Sequence, residues 1–248
     1  MEEFLIFISE YWAYLIAGCF LLFTIIGICI ANFSYDHYLK SFDEMNKIST
    51  RFKADAYSFA KKFSVFFFKG QIAVEVLPEK EMPSSGSYTP ARKTVSLSSQ
   101  IAYIGSIASF AIVAHEFGHS FQHKNNPKIL VQNFKLAKTV KFLGFLNVLL
   151  VIAGVYFFAT GVIIICLFFL LFMLLNFIVA IWLKISTLKL EKNASEIAMD
   201  LLQKTNVFSK KELSLMSKFL SSAKATYTGD LFRALFSWTG LVRKTKIF

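Results

Sequence analysis

Between Phe142 and Leu183 the chain runs for 42 residues without one charged side chain. A helix needs about 20 apolar residues, rising about 1.5 Å each, to cross a hydrocarbon core of roughly 30 Å. The run is therefore long enough for two membrane-spanning helices, with Ala159-Thr160-Gly161 as the turn between them. A second uncharged block, Tyr11 to Phe33, predicts a third span. The residues ahead of it are acidic (Glu2, Glu3, Glu10), and no small-residue cleavage site follows, so it is expected to stay as an anchor rather than leave as a signal peptide. Composition agrees: 55% of residues are hydrophobic and only 17% charged, which excludes a disordered chain and argues against an ordinary soluble domain. Cys19, Cys29 and Cys166 all fall in the apolar blocks, with neither zinc-knuckle nor disulfide-framework spacing.

Charge supplies an orientation. Residues 1–33 carry −3, residues 34–141 carry +7 and residues 184–248 carry +7, which sum to the net +11. Basic flanks stay on the cytoplasmic side, so the expectation is an integral membrane protein of a cell membrane, N-terminus outside and both polar segments cytoplasmic. Four segments follow: an anchor helix (1–33), a cytoplasmic region (34–141), a helical hairpin (142–183) and a cytoplasmic tail (184–248). A basic surface beside an anionic leaflet accounts for the net charge, and no cluster of bases and aromatics suggests a nucleic-acid partner.

Within the polar segments, Phe42, Met45, Ile48, Phe52 and Phe59 recur at helical spacing and predict one amphipathic helix over 34–69. Alternation at Ile72, Val74 and Val76, and the run Thr94–Ser98, predict two short strands separated by a turn-rich stretch that includes Gly86-Ser87-Tyr88-Thr89-Pro90. A helical period returns from Ile101 through Gln122. The tail reads as two helices broken near Thr205–Ser209, with Ser209 and Glu212 at capping-box spacing.

The chemistry lies in that 101–122 helix, in Ala114-His115-Glu116-Phe117-Gly118-His119. Residues four apart project from one helical face, so His115 and His119 can hold one Zn²⁺ together. Glu116 stands beside the pair without being needed as a ligand, free to take a proton from water and hand it to a leaving amine. Gly118 fits close packing against a neighbour. A catalytic zinc usually has three protein ligands and an open position. The hairpin returns the chain to the same side, where Glu191 and Glu196 are the available carboxylates. Glu191 shares a face with the small residues Ala194, Ser195 and Ala198, whereas Glu196 lies about 140° round from it, so geometry favours Glu191.

These parts, from Gly86 to Gln122, then a hairpin, then Glu191-x-x-Ala194-Ser195 and Ala225-Thr226-Tyr227, resemble the bacterial membrane-bound neutral zinc metallopeptidases of the YugP type over nearly the whole chain. The resemblance implies a mostly α membrane protein: three transmembrane helices and a cytoplasmic zincin-like catalytic region, gluzincin-like in its ligands, with a small β element and the His-Glu-x-x-His helix. It implies one catalytic zinc on His115, His119 and Glu191, with Glu116 as base. Ser195 takes the place where many related proteases carry an Asp that orients a ligand histidine. The family's Asp-His-Tyr-Asp-Pro stretch is reduced here to Tyr88 and Pro90. The implied activity is endopeptidase hydrolysis of a peptide or protein substrate, membrane-associated or free, at the cytoplasmic membrane face beside the lipid bilayer. In this reading Thr94–Ser98 pairs with the peptide, and Tyr227 or His123 donates to the oxyanion. The alternative is a non-catalytic zinc-stabilised membrane scaffold or chaperone, which gives Glu116 no task.

Overall fold

A computed structural model describes residues 32–78, 86–160 and 163–236, with a few positions between 22 and 30. The first helix, α1, covers residues 32–46. It is followed by α2 (Ala56–Phe68), β1 (Ala73–Leu77), β2 (Gly86–Thr89), β3 (Thr94–Ser98), α3 (Ser99–Ala102), α4 (Ile107–Asn125), α5 (Pro127–Ala159), α6 (Ile163–Lys204) and α7 (Lys210–Phe236).

The helix expected over 34–69 is two helices. The Asp55 carboxylate accepts from the Ser58 N–H at 2.6 Å and starts α2 afresh, a cap that satisfies an otherwise orphan donor. The expected 101–122 helix is also divided. Ser106 caps α4 by accepting from Ser109 N–H at 3.0 Å, while its own hydroxyl donates to Asn46 Oδ1 at 2.7 Å. Everything from Ile107 to Gly118 on α4 is buried, which makes it the central helix of the fold.

Three strands form rather than two. The order is β1-β3-β2, with β1 parallel and β2 antiparallel to β3. Both edges of β3 are occupied, so Thr94–Ser98 cannot take up a peptide by edge pairing, contrary to expectation. Among the described residues the open edge nearer α4 belongs to β2, built from the residues expected to be turn.

Phenylalanine fills the space around α4. Phe52, Phe59 and Phe208 crowd Phe110, with ring centroids 4.8–5.9 Å from it, mostly edge to face. Phe63 and Phe68 pack on Phe117 at 5.0 and 5.5 Å. Such pairs add about 0.5–1.5 kcal/mol beyond buried area, so these rings join α2 and α4 to each other and to the link between α6 and α7.

The three membrane-spanning helices are not upheld: among the described residues, no helix is long and apolar enough to cross a membrane. Most of the block 11–33 lies outside the described residues. The 42-residue run is shared between α5 and α6, and each continues without a break into polar turns, α5 from Lys128 and Lys135, α6 through Lys184, Lys189 and Glu191. The apolar stretches are thus halves of long mixed helices, and the inside–outside orientation built on separate spans loses its basis.

The break near Thr205–Ser209 holds a reciprocal cap. Ser209 N–H donates to Glu212 Oε2 at 2.7 Å and Glu212 N–H to Ser209 Oγ at 3.3 Å, while Arg51 N–H reaches Glu212 Oε1 at 2.6 Å. Burial works to raise the Glu212 pKa, but the Ser209 and Arg51 donors outweigh it and hold it below the ordinary value. A depressed folded pKa stabilises the fold above the unfolded value of about 4.3 and ceases to do so as pH falls through the folded one. Glu212→Gln is therefore expected to cost about 1–2 kcal/mol at pH 7 in urea denaturation, and the gap to wild type should close on the acid side. A gap independent of pH would refute the assignment.

Candidate metal centre

The geometry begins with the crossing of α4 and α6. A Cβ on Gly118 would stand 2.3 Å from the Ala194 carbonyl oxygen, so the two backbones touch and only glycine fits. The helices run antiparallel there: His115 faces Ser195 and His119 faces Glu191, each four residues on along α4 matching four back along α6. The small face of Ala194, Ser195 and Ala198 permits this approach, with Ala194 and Ala198 wholly buried.

At the crossing, one donor atom each from His115, His119 and Glu191 lies within 4.8 Å of the others. Glu191 Oε2 stands 3.1 Å from His115 Nε2 and 3.3 Å from His119 Nε2. Two ligands each about 2.0–2.1 Å from a tetrahedral zinc are separated by about 3.3 Å. Both histidine–carboxylate distances are close to that value, and two imidazole nitrogens with one carboxylate oxygen are a donor set that suits zinc. Glu196 is exposed and pairs with Lys192 at 3.7 Å, away from the cluster.

Hydrogen bonds hold each ligand. His115 Nδ1 meets Ser195 Oγ at 3.1 Å. His119 Nδ1 meets Gln122 Oε1 at 3.0 Å, and Gln122 Nε2 donates to the Leu190 carbonyl at 2.8 Å and to Asn193 Oδ1 at 2.9 Å. Tyr227, on α7, bonds Glu191 through its side chain. Gln122 and Asn193 had no expected role, because they meet only across the crossing of α4 and α6.

Electrostatics follow from burial and proximity. Burial opposes the charged form of His119, but the neighbouring Glu191 outweighs it and raises its pKa to about 9. Burial likewise works to raise Glu191, and the charge and hydrogen bonds of the two histidines prevail, holding it well below the usual carboxylate range. Tyr227 is pushed far up, first by burial and then by Glu191 and Glu116.

Glu116 is 1% exposed. Burial raises its pKa; His119 and His115 pull down, Glu191 adds to the rise, and the backbone of Tyr88 supplies a hydrogen bond. Its Oε1 is buried and has no hydrogen-bond partner among the described residues. β2 presses on this carboxylate: a Cβ on Gly86 would lie 3.0 Å from Glu116 Cγ and from Ile112 Cγ2. The stretch Gly86–Thr89, expected to be turn, is therefore a strand lying over Glu116. His123 lies a turn beyond His119, with Nδ1 2.8 Å from the Tyr88 hydroxyl.

Comparison with known proteins identifies a family. The chain is 29% identical over 161 residues, 65% of its length and 67% of the other's, to the protein named "Putative membrane protease YugP" of Bacillus subtilis (strain 168). No solved structure matches. A family model described as "Putative neutral zinc metallopeptidase" matches residues 19–245, nearly the whole chain. Zinc is the metal that this family and this donor set imply, and the chain belongs to that family of neutral zinc metallopeptidases.

Proposed function

We propose that this chain is a zinc-dependent endopeptidase, with His115, His119 and Glu191 as zinc ligands and Glu116 as the general base. The observation that carries the reading is the buried Glu116 carboxylate with an unpartnered oxygen beside a two-histidine, one-carboxylate cluster. A purely structural site has no use for that carboxylate, and an uncompensated buried charge is costly to maintain. Zinc, when bound, supplies a Lewis acid that polarises a carbonyl and makes water more acidic.

Glu116 Oε1 accepts the proton of the attacking water and passes it to the nitrogen of the departing amine. Its raised pKa brings it closer to working pH, which suits a group that must both take and return a proton. Ser195 and Gln122 keep the two imidazole rings in place. Tyr227 stays protonated and is held at the cluster by its bond to Glu191, so its hydroxyl is the donor we assign to the developing oxyanion, ahead of His123, which bonds Tyr88 rather than any member of the cluster. An extended substrate pairs with the open edge of β2 over Glu116.

The test is cleavage of an unstructured polypeptide by zinc-loaded protein. Cleavage is expected to stop on chelation and return with zinc; cleavage indifferent to chelator refutes the reading.

We place the outer faces of α5 and α6 against a lipid surface. Phe142, Ile152, Tyr156, Ile164, Phe168 and Trp182 are each more than 60% exposed. A monomer rarely leaves so large an apolar area to water, and the Bacillus relative is named a membrane protease. The protein should float with lipid vesicles in a density gradient; full recovery at the bottom without detergent refutes the placement.

A further inference from the structure

Gln122 is 7% exposed, and all of its amide atoms are engaged at the crossing of α4 and α6. The Leu190 carbonyl can only accept, and it lies 2.8 Å from the Gln122 amide nitrogen. Reversing the amide would bring two carbonyl oxygens together, so the orientation is determined by its partners. With Nε2 directed at Leu190 and Asn193, Oε1 must face His119, and an amide oxygen only accepts. His119 therefore carries a proton on Nδ1 and donates it to Gln122 Oε1 over 3.0 Å. The ring atom left for the metal is Nε2, the one 3.3 Å from Glu191 Oε2.

The second function of the same side chain lies on the other helix. The carbonyl it grips belongs to Leu190, immediately before Glu191, and its second acceptor, Asn193, follows two residues after Glu191. We infer that Gln122 is a positioning residue that sets the tautomer of one zinc ligand and the placement of another, so that the histidine helix and the carboxylate helix are brought into register by a single amide. The inference rests on the zinc reading above and adds to it a residue that touches neither metal nor substrate.

Two variants separate the functions. Gln122→Met keeps the volume and removes every hydrogen bond; Gln122→Glu keeps an acceptor for His119 Nδ1–H and loses the donor to α6. The readouts, on full-length zinc-loaded protein, are zinc affinity by chelator competition and the exchange-protected imidazole N–H of His119 by proton NMR. For Gln122→Met the affinity is expected to fall by about 10- to 100-fold, with loss of the protected N–H signal. For Gln122→Glu the signal should persist while affinity still falls, a split that a merely space-filling role does not produce. Loss of the signal in Gln122→Glu overturns the tautomer assignment, even if Gln122→Met fails to fold. Affinity within about twofold of wild type in Gln122→Met overturns the inference alone, whereas a wild-type protein that takes up no zinc overturns the zinc reading and this inference together.

Discussion

Glu116→Gln is expected to retain zinc and the fold while losing peptide hydrolysis by at least about 10²- to 10⁴-fold, the usual contribution of a positioned general base. Glutamine has nearly the shape of glutamate, so the close packing of its Cγ against Gly86 survives, and the Tyr88 backbone still finds an acceptor. What disappears is the ability to carry a proton. The variant should also be more stable than wild type without metal, because a carboxyl group whose pKa burial has raised contributes against folding once it ionises. Activity and stability are thus expected to move in opposite directions. Zinc content, circular dichroism, thermal unfolding and peptide turnover on the same preparation decide the matter. Retained turnover removes Glu116 from the mechanism.

Gly118→Ala should be as severe, through a different cause. In an ordinary helix the change gains up to about 1 kcal/mol from propensity. Here the added methyl would stand 2.3 Å from the Ala194 carbonyl oxygen and 3.3 Å from its Cα, both backbone atoms of a long helix. Neither can rotate away, so α6 must withdraw, and overpacking of this kind costs about 1–3 kcal/mol. Withdrawal also carries Glu191 and Ser195 away from His115 and His119. The expected result is a lower melting temperature together with a zinc affinity reduced at least about tenfold. Wild-type affinity in a folded Gly118→Ala protein would show that the helices cross less tightly than described.

Much of this site is legible from local pattern, because helical spacing is a local property. His115 and His119 share a face by their four-residue interval, Glu191 shares one with Ala194, Ser195 and Ala198, and the Ser209–Glu212 interval marks the start of α7. Residues read by partner rather than by spacing are another matter. Gly86–Thr89 has the composition of a turn and becomes a strand through pairing with β3. The breaks before α2 and α4 turn on single caps at Asp55 and Ser106, overridden in the sequence reading by an apolar period continuing across them. Gln122 has no local reason to matter; its importance comes from Leu190 and Asn193, some seventy residues away. The apolar run of 142–183 is legible as helical but not as parts of two longer mixed helices, of which α6 continues into the site.

The contact of Gly118 with Ala194 also has a mechanical side. Ala194 acts as a fulcrum on α6. Glu191 lies three residues from it, about 4.5 Å along the axis, whereas Ile163 at the helix start lies about 46 Å away. If α6 rocks as a rigid rod, a sideways swing of about 10 Å at its far end reaches Glu191 reduced some tenfold, to about 1 Å. Thermal motion and jostling of the apolar tip are thereby geared down before they reach the metal ligands, so a hairpin this long can be buffeted at one end and still keep a carboxylate in place at the other.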